Sequence, residues 1–270
     1  MHVRGVDFSG SARPGTDIWI TEAELEEGRL SISSCRSAAD RFDCSARGPV
    51  LRELRSVLRG DPGTTGLDVS FGIPARLLPE GTDTWGDAIE WFSTTFDDAG
   101  AMRRTLKDRA RALSVEGVEL KRRTDAAVGA NSPYSFITYY QTLYGIRDVL
   151  VPLVRADALA VPPMDAPRDR NAIEIYPAGT LRRLETVATT YKDDTEAARR
   201  RRERIVERLS EPAADAFDVE IPPSIERTVT DDPGGDALDS VVAAVATARA
   251  VANGFEPPTP FDDREGCIYV

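Results

Sequence analysis

Three strand-like runs precede the first helix in this chain, and that order constrains its fold more tightly than any other feature. Residues 3–8 (VRGVDF) are a short, mostly apolar run that ends in a polar turn, Ser9-Gly10-Ser11. Residues 17–25 alternate, with Ile18 and Ile20 on one face and Trp19 on the other; residues 29–35 alternate too, Leu30 and Ile32 against serines. Period-two alternation marks a pleated strand with one buried face. The Glu26-Glu27-Gly28 turn between these two runs predicts a hairpin. The period then lengthens: Val50, Leu51, Leu54, Val57 and Leu58 share one stripe of a helix over 46–59, which Gly60-Asp61-Pro62-Gly63 stops. Residues 64–71 (TTGLDVSF) predict a fourth strand, closed by Gly72-Ile73-Pro74.

Beyond it, residues 85–165 read as mainly helical. They hold an aromatic stretch after Pro133 (Tyr134, Phe136, Tyr139, Tyr140 and Tyr144), whose helical spacing predicts core packing rather than a base-stacking platform. Residues 160–170, rich in Pro and Asp, read as loop, and 172–176 (AIEIY) as a fifth strand. A charged helix is expected over 194–209 and a loop over 211–235. A final helix of small apolar residues, 236–253 (DALDSVVAAVATARAVAN), is expected to lie buried against the sheet. A length of 270 residues suits one large α/β domain or two small ones.

Composition removes much of the catalytic repertoire. The only histidine is His2, which nearly eliminates Ser-His-Asp and Cys-His catalysis and histidine-ligated zinc. No phosphate-loop, nucleophile-elbow or dinucleotide-binding glycine motif is found. Cys35, Cys44 and Cys267 fit no zinc spacing and are odd in number, so neither a disulfide framework nor a disulfide-linked partner is expected. No apolar run approaches the roughly 20 residues that cross a bilayer, and the N-terminus lacks a signal-peptide pattern. The expectation is a cytoplasmic protein with no membrane partner. Carboxylate is abundant, with 45 Asp and Glu against 34 basic residues and a net charge of −11. Only three of the basic residues are lysines: Lys107, Lys121 and Lys192. An acidic, arginine-favouring surface suits a chain kept soluble in concentrated salt, where charge repulsion is screened within a few Å.

Four acids sit where strands and apolar helices rarely carry them. Asp7 ends the first strand, Asp68 lies between Leu67 and Val69, Glu174 lies between Ile173 and Ile175, and Asp239 sits one turn into the last helix, on the face of Asp236. Burying a lone carboxylate costs several kcal/mol or raises its pKa; acids that share a divalent cation avoid that cost. Each also has a structural reading. Asp7 could cap the turn that follows, Asp68 could accept backbone donors, Glu174 could face solvent on an edge strand, and Asp236 could serve as a helix N-cap or as a first-turn acid that complements the helix dipole.

The segments that carry these acids resemble a known family. GVDFSG at 5–10, LDVSFGIP at 67–74, AIEIYPAGTLRRL at 172–184 and DALDSVVAAVATARA at 236–250 are similar to blocks of domain of unknown function 429, whose members are described as predicted RNase H-like nucleases. KRRTD at 121–125 and SPYSFITYYQTLYGI at 132–146 resemble its central helical insertion. The tail EGCIYV at 265–270 resembles its closing segment, with Cys267 where Trp is common, which puts the packing of the tail in question. The acidic composition would suit a haloarchaeal member. The resemblance implies an α/β, RNase H-like fold in a single domain over 1–270: a five-stranded mixed sheet, its first three strands antiparallel, with helices on both faces and an insertion at about 85–165.

It also implies metal-dependent phosphodiester hydrolysis of nucleic acid. Asp7, Asp68 and Asp239 become the metal-binding acids, with Asp236 optional and Glu174 a further catalytic candidate. Two Mg²⁺ or Mn²⁺ ions would activate water and stabilise the leaving oxygen. Lys121, Arg122, Arg123 and Ser9 are candidates for gripping substrate phosphates, although the basic run equally suits a solvated loop. Two rival readings stay open: an ATP-binding phosphotransferase related to actin-like proteins and sugar kinases, with Ser9-Gly10-Ser11 cradling phosphate, and a catalytically inactive binding protein.

Overall fold

The alternating runs at the start of the chain become β1 (His2–Asp7), β2 (Trp19–Glu26) and β3 (Arg29–Ser37), consecutive antiparallel neighbours. In the computed structural model, which describes residues 1–113, 116–211 and 216–270, two helices follow, α1 (Ala38–Phe42) and α2 (Arg47–Arg59). β4 (Gly63–Asp68) then lies parallel to β1 on its other side. Five helices come next: α3 (Trp85–Thr95), α4 (Ala99–Ala112), α5 (Arg123–Val128), α6 (Tyr139–Gly145) and α7 (Val151–Arg155), the last two joined through a π-helical turn at Ile146–Leu150. The chain continues through β5 (Arg170–Ile175), α8 (Pro177–Arg183), α9 (Glu196–Leu209), β6 (Asp218–Glu220), α10 (Pro223–Asp231), α11 (Asp236–Ala252) and β7 (Ile268–Tyr269).

The five-stranded sheet expected from the sequence is not what forms. The sheet is mixed and seven-stranded, in the order β6-β3-β2-β1-β4-β5-β7, and curls into a half-barrel. The two additional strands pair parallel to β3 and β5 at the edges. They are three and two residues long, too short for alternation to leave a trace in the sequence. β6 and α10 both fall in the segment read as loop. The prolines that suggested a loop there include Pro222 and Pro223, which stand at the N-cap and first position of α10, where a missing N–H costs nothing. The tail is packed, although its Cys267 put that in question: Cys267 is buried, and the Ile268 amide donates to Thr124 Oγ1 at 3.0 Å.

Each face of the sheet is covered. One core gathers Val6, Ile18, Ile20 and Leu67 with the apolar stripes of α2, α3 and α4 and the turns around Ile146–Leu153. The other gathers Val3, Ala23, Leu30 and Ile32 with α9, α10 and α11. The burial of α11 against the sheet is nearly total, every residue from Ala237 to Ala250 being buried. This requires a flat seat. Gly5 and Gly66 sit opposite one another on β1 and β4. A Cβ on Gly5 would collide with the backbone of Ser240 and Ala244, and one on Gly66 with the Thr247 side chain. Among the described residues, no helix is long and apolar enough to cross a membrane.

Because the obstacle at Gly5 is backbone, the helix cannot yield by a side-chain rotation. Gly5→Ala should therefore cost about 2–3 kcal/mol and lower the melting temperature by several °C, measured by thermal denaturation followed by circular dichroism.

Candidate functional site

Parallel register places Asp7 directly beside Asp68, because β1 and β4 end together. Their carboxyls share a hydrogen bond. The seat described above brings the first turns of α11 over the same strand ends, and Asp239 faces both. Asp7 and Asp239 are buried, while Asp68 is half-buried at the edge of a cleft of about 170 Å³. Three acids separated by 61 and 171 positions along the chain thus converge.

Two residues not singled out from the sequence complete this cluster. Tyr191 is buried and donates its hydroxyl to Asp239 Oδ1 at 2.6 Å. The Lys192 ammonium lies 2.6 Å from Asp239 Oδ2 and 3.2 Å from Asp236 Oδ1. Both come from the segment between α8 and α9, which packs beneath the start of α11. Gly235, the N-cap of α11 at a φ of 73°, permits that approach, since a Cβ there would press on the Tyr191 ring and the Lys192 chain at 3.0–3.1 Å. A signal for Lys192 was present in the sequence: it is one of three lysines in a chain that otherwise uses arginine.

The electrostatics follow from four acids around one ammonium. Burial and repulsion by Asp239 and Asp68 push the Asp7 carboxyl well above the usual carboxylate range, with Lys192 opposing. Burial and Asp239 push Asp68 up to about 8. Burial also raises Asp236, against the pull of Lys192. Burial works against the Lys192 charge, but Asp239, Asp7 and Asp236 together hold its pKa above the ordinary lysine value. Negative charge in the cluster exceeds what one lysine can neutralise.

Asp7 does not cap its turn; there the Ser11 amide bonds to Ser9 Oγ at 3.3 Å. Ser9 is half-buried, and the Ser9–Ser11 turn is closed over rather than open to a phosphate, since a Cβ on Gly10 would strike the Tyr140 backbone. Asp236 is an acid of the first turn of α11 rather than its N-cap, which is Gly235. The side chain that accepts there is that of Asp232, whose carboxylate takes the amides of Gly234 and Ala237.

Glu174 stands apart from the cluster. It is buried on an interior strand, so the edge-strand reading fails, yet its carboxylate is committed elsewhere. Arg122, fully buried, reaches Glu174 Oε1 at 2.5 Å and Oε2 at 2.7 Å, and Asp125 at 2.7 and 3.0 Å. The Phe71 amide adds a bond to Glu174 at 2.8 Å. Burial raises the Glu174 carboxyl while Arg122 draws it down. This clamp ties α5, β5 and the chain after β4 together. Arg122 therefore has no free donor face for substrate, while Lys121 and Arg123 on either side are exposed.

Among the described residues, no group of three or more His, Cys, Asp or Glu side chains is placed where it could hold a metal ion. The donor set nevertheless fits a hard divalent cation in kind: all oxygen, buried and under-neutralised. The Lys192 ammonium marks where the cluster takes positive charge.

Two outcomes follow. In metal-free buffer, Asp68 binds its proton more tightly folded than unfolded, so stability should fall as pH rises from about 4 to about 8. Asp68→Asn should flatten that dependence and raise the melting temperature above pH 8 by a few °C. Arg122→Met should cost about 3–5 kcal/mol by leaving two buried carboxylates without their partner, read by urea denaturation.

Compared with known families, residues 149–264 match the model described as "Protein of unknown function (DUF429)". No curated protein and no solved structure gives a significant match. The matched stretch contains Glu174, Tyr191, Lys192, Asp236 and Asp239; Asp7 and Asp68, and the GVDFSG and LDVSFGIP segments around them, lie outside it. Over its C-terminal part, then, the chain is similar to a family whose description assigns it no activity.

Proposed function

We propose that this chain is a metal-dependent phosphodiester hydrolase acting on nucleic acid, with Asp7, Asp68 and Asp239 as the residues that hold the cation. The observation that carries the reading is the convergence of these three carboxylates, from two strand ends and a helix, in a buried cluster with too little positive charge. A fold gains nothing in stability from such an arrangement, since mutual repulsion and desolvation both oppose it. Perturbed carboxylates at the edge of a cleft are characteristic of sites built for chemistry.

Bound Mg²⁺ or Mn²⁺ would lower the pKa of a water and neutralise charge developing on the phosphate. The residues supply the rest. Asp7 and Asp68 are fixed by strand pairing, so their oxygens are preorganised. Asp239 is oriented by the Tyr191 hydroxyl. Lys192, with its side chain nearly half-exposed at 46%, can swing off Asp239 without opening the core. That would free one carboxylate oxygen and leave an ammonium beside the cleft for a phosphate oxygen. Glu174 serves by position rather than contact, since the Arg122 clamp shapes the wall next to Asp68.

Asp7→Asn and Asp239→Asn should each reduce Mn²⁺-dependent cleavage of nucleic acid to background, and should abolish the heat of Mn²⁺ binding in calorimetry while keeping the fold. Glu174→Gln should instead lower the melting temperature and retain measurable cleavage. Normal cleavage by Asp7→Asn or Asp239→Asn would refute the assignment.

A further inference from the structure

The aromatic stretch after Pro133 does not all enter the core. Tyr134 is fully buried, but Phe136 is 74%, Ile137 75% and Tyr140 46% exposed. The rings of Phe136, Tyr139, Tyr140 and Tyr144 follow one another along the surface, with successive centroids 6.3, 4.4 and 6.3 Å apart. Exposing this much aromatic surface is unfavourable in water, and contiguous apolar patches on a protein surface mark contact sites.

Three features indicate what covers the strip. First, it runs into the carboxylate cleft: Ile137, Thr138 and Gln141 line that cleft together with Asp68. Gln141 Nε2 donates to the Phe8 carbonyl at 2.7 Å and also to the Asp68 carbonyl, so the strip is pinned to the residues beside both strand-end acids. Second, arginines stand over the rings. Arg103 lies 5.7 Å from Phe136 and 5.6 Å from Tyr139, and Arg47 and Arg147 lie 3.5 and 5.2 Å from Tyr144. Glu119 and Asp148 pair with Arg103 and Arg147, and Asp98 lies near Tyr139. The Arg47 hydrogen bonds go to the Gly10 and Ser11 carbonyls, and among the described residues no carboxylate pairs with it. Third, ring faces suit flat partners. Unpaired bases offer such faces, whereas a duplex keeps its bases stacked inside.

We infer that Phe136, Tyr139, Tyr140 and Tyr144, with Arg47, form a track that binds single-stranded nucleic acid and leads it to the carboxylate cleft, an inference that rests on the hydrolase reading of that cleft. Bases stack on the exposed rings, and the phosphates between them pass the arginines. The track explains why the first turn of α6 is laid across the Ser9–Ser11 turn, beside β1, rather than turned inward.

The test separates binding from chemistry. Fluorescence anisotropy in EDTA measures binding of labelled oligothymidylate, and of a duplex of equal length, to the whole chain and to Phe136→Ala/Tyr140→Ala. Both side chains are exposed, so an unchanged melting temperature will confirm that the variant folds. The single strand should bind at least about ten-fold tighter than the duplex, and the double variant should lose about ten-fold or more; Phe136→Trp should keep the single-strand binding that Phe136→Ala loses. In parallel, Mn²⁺-dependent cleavage of bis(4-nitrophenyl) phosphate by the unaltered chain reads the carboxylates alone. Equal binding of duplex, undiminished binding by the double variant, or strip-dependent binding to phosphatidylserine vesicles without oligonucleotide binding would overturn the track. Cleavage of the small diester with no oligonucleotide binding would overturn the track and uphold the hydrolase reading. Strip-dependent oligonucleotide binding with no cleavage of any diester would uphold the track and sink the hydrolase reading.

Discussion

The contact of α11 with the glycines of β1 and β4 is the constraint on which the rest of this structure depends. A helix packed on a sheet normally stands off by the thickness of two layers of side chains. Here Gly5 and Gly66 remove one layer and the small residues of α11 thin the other, so helix backbone meets strand. The helix thereby acquires a fixed position along the strands. That position, and not an attraction among the acids, brings Asp239 to the ends of β1 and β4. Apolar packing supplies the free energy that holds three carboxylates against their own repulsion.

Two solutions to buried charge sit side by side in this molecule. Around Glu174, Arg122 and Asp125 satisfy one another through a planar guanidinium whose fork matches two carboxylates. That cluster is closed, and its role is to join α5 to β5. Around Asp7, Asp68 and Asp239, a lysine of adjustable reach does the neutralising, and it does so incompletely. An ammonium on a flexible stem can leave; a buried bidentate arginine cannot. The difference in cation type separates the two clusters, where the number of acids alone would have grouped Glu174 with the others.

The same contrast explains which site residues were legible in the sequence. Asp7, Asp68 and Asp239 stood out because each interrupts an apolar run, and a carboxylate in such a place has to be compensated. Glu174 satisfied the same criterion and was compensated by Arg122, whose neighbours Lys121 and Arg123 made it look like part of a solvated basic run. Nothing local announces that the middle member of that run is the one to be buried. Tyr191 and Lys192 lie in a polar stretch without periodicity, so only the rarity of lysine hinted at a role. The aromatic run after Pro133 has helical spacing and reads as core, yet residues 133–138 form a turn ahead of α6 that buries Tyr134 and leaves Phe136 in water, and α6 itself leaves Tyr140 exposed.

By itself the sequence determined the elements whose period spans several residues: the hairpin, the first helix stripe, the central strands and the buried last helix, and the near absence of histidine narrowed the candidate site residues to carboxylates. These are local properties, set by how side chains repeat along a strand or helix. Tertiary structure decided what depends on backbone pairing and on approach between distant segments. It added β6 and β7, three and two residues long, which exist only because β3 and β5 offer open edges. It also decided which acids meet a lysine and which an arginine. Those outcomes depend on distances between residues far apart in the chain, and no repeat within the sequence encodes them.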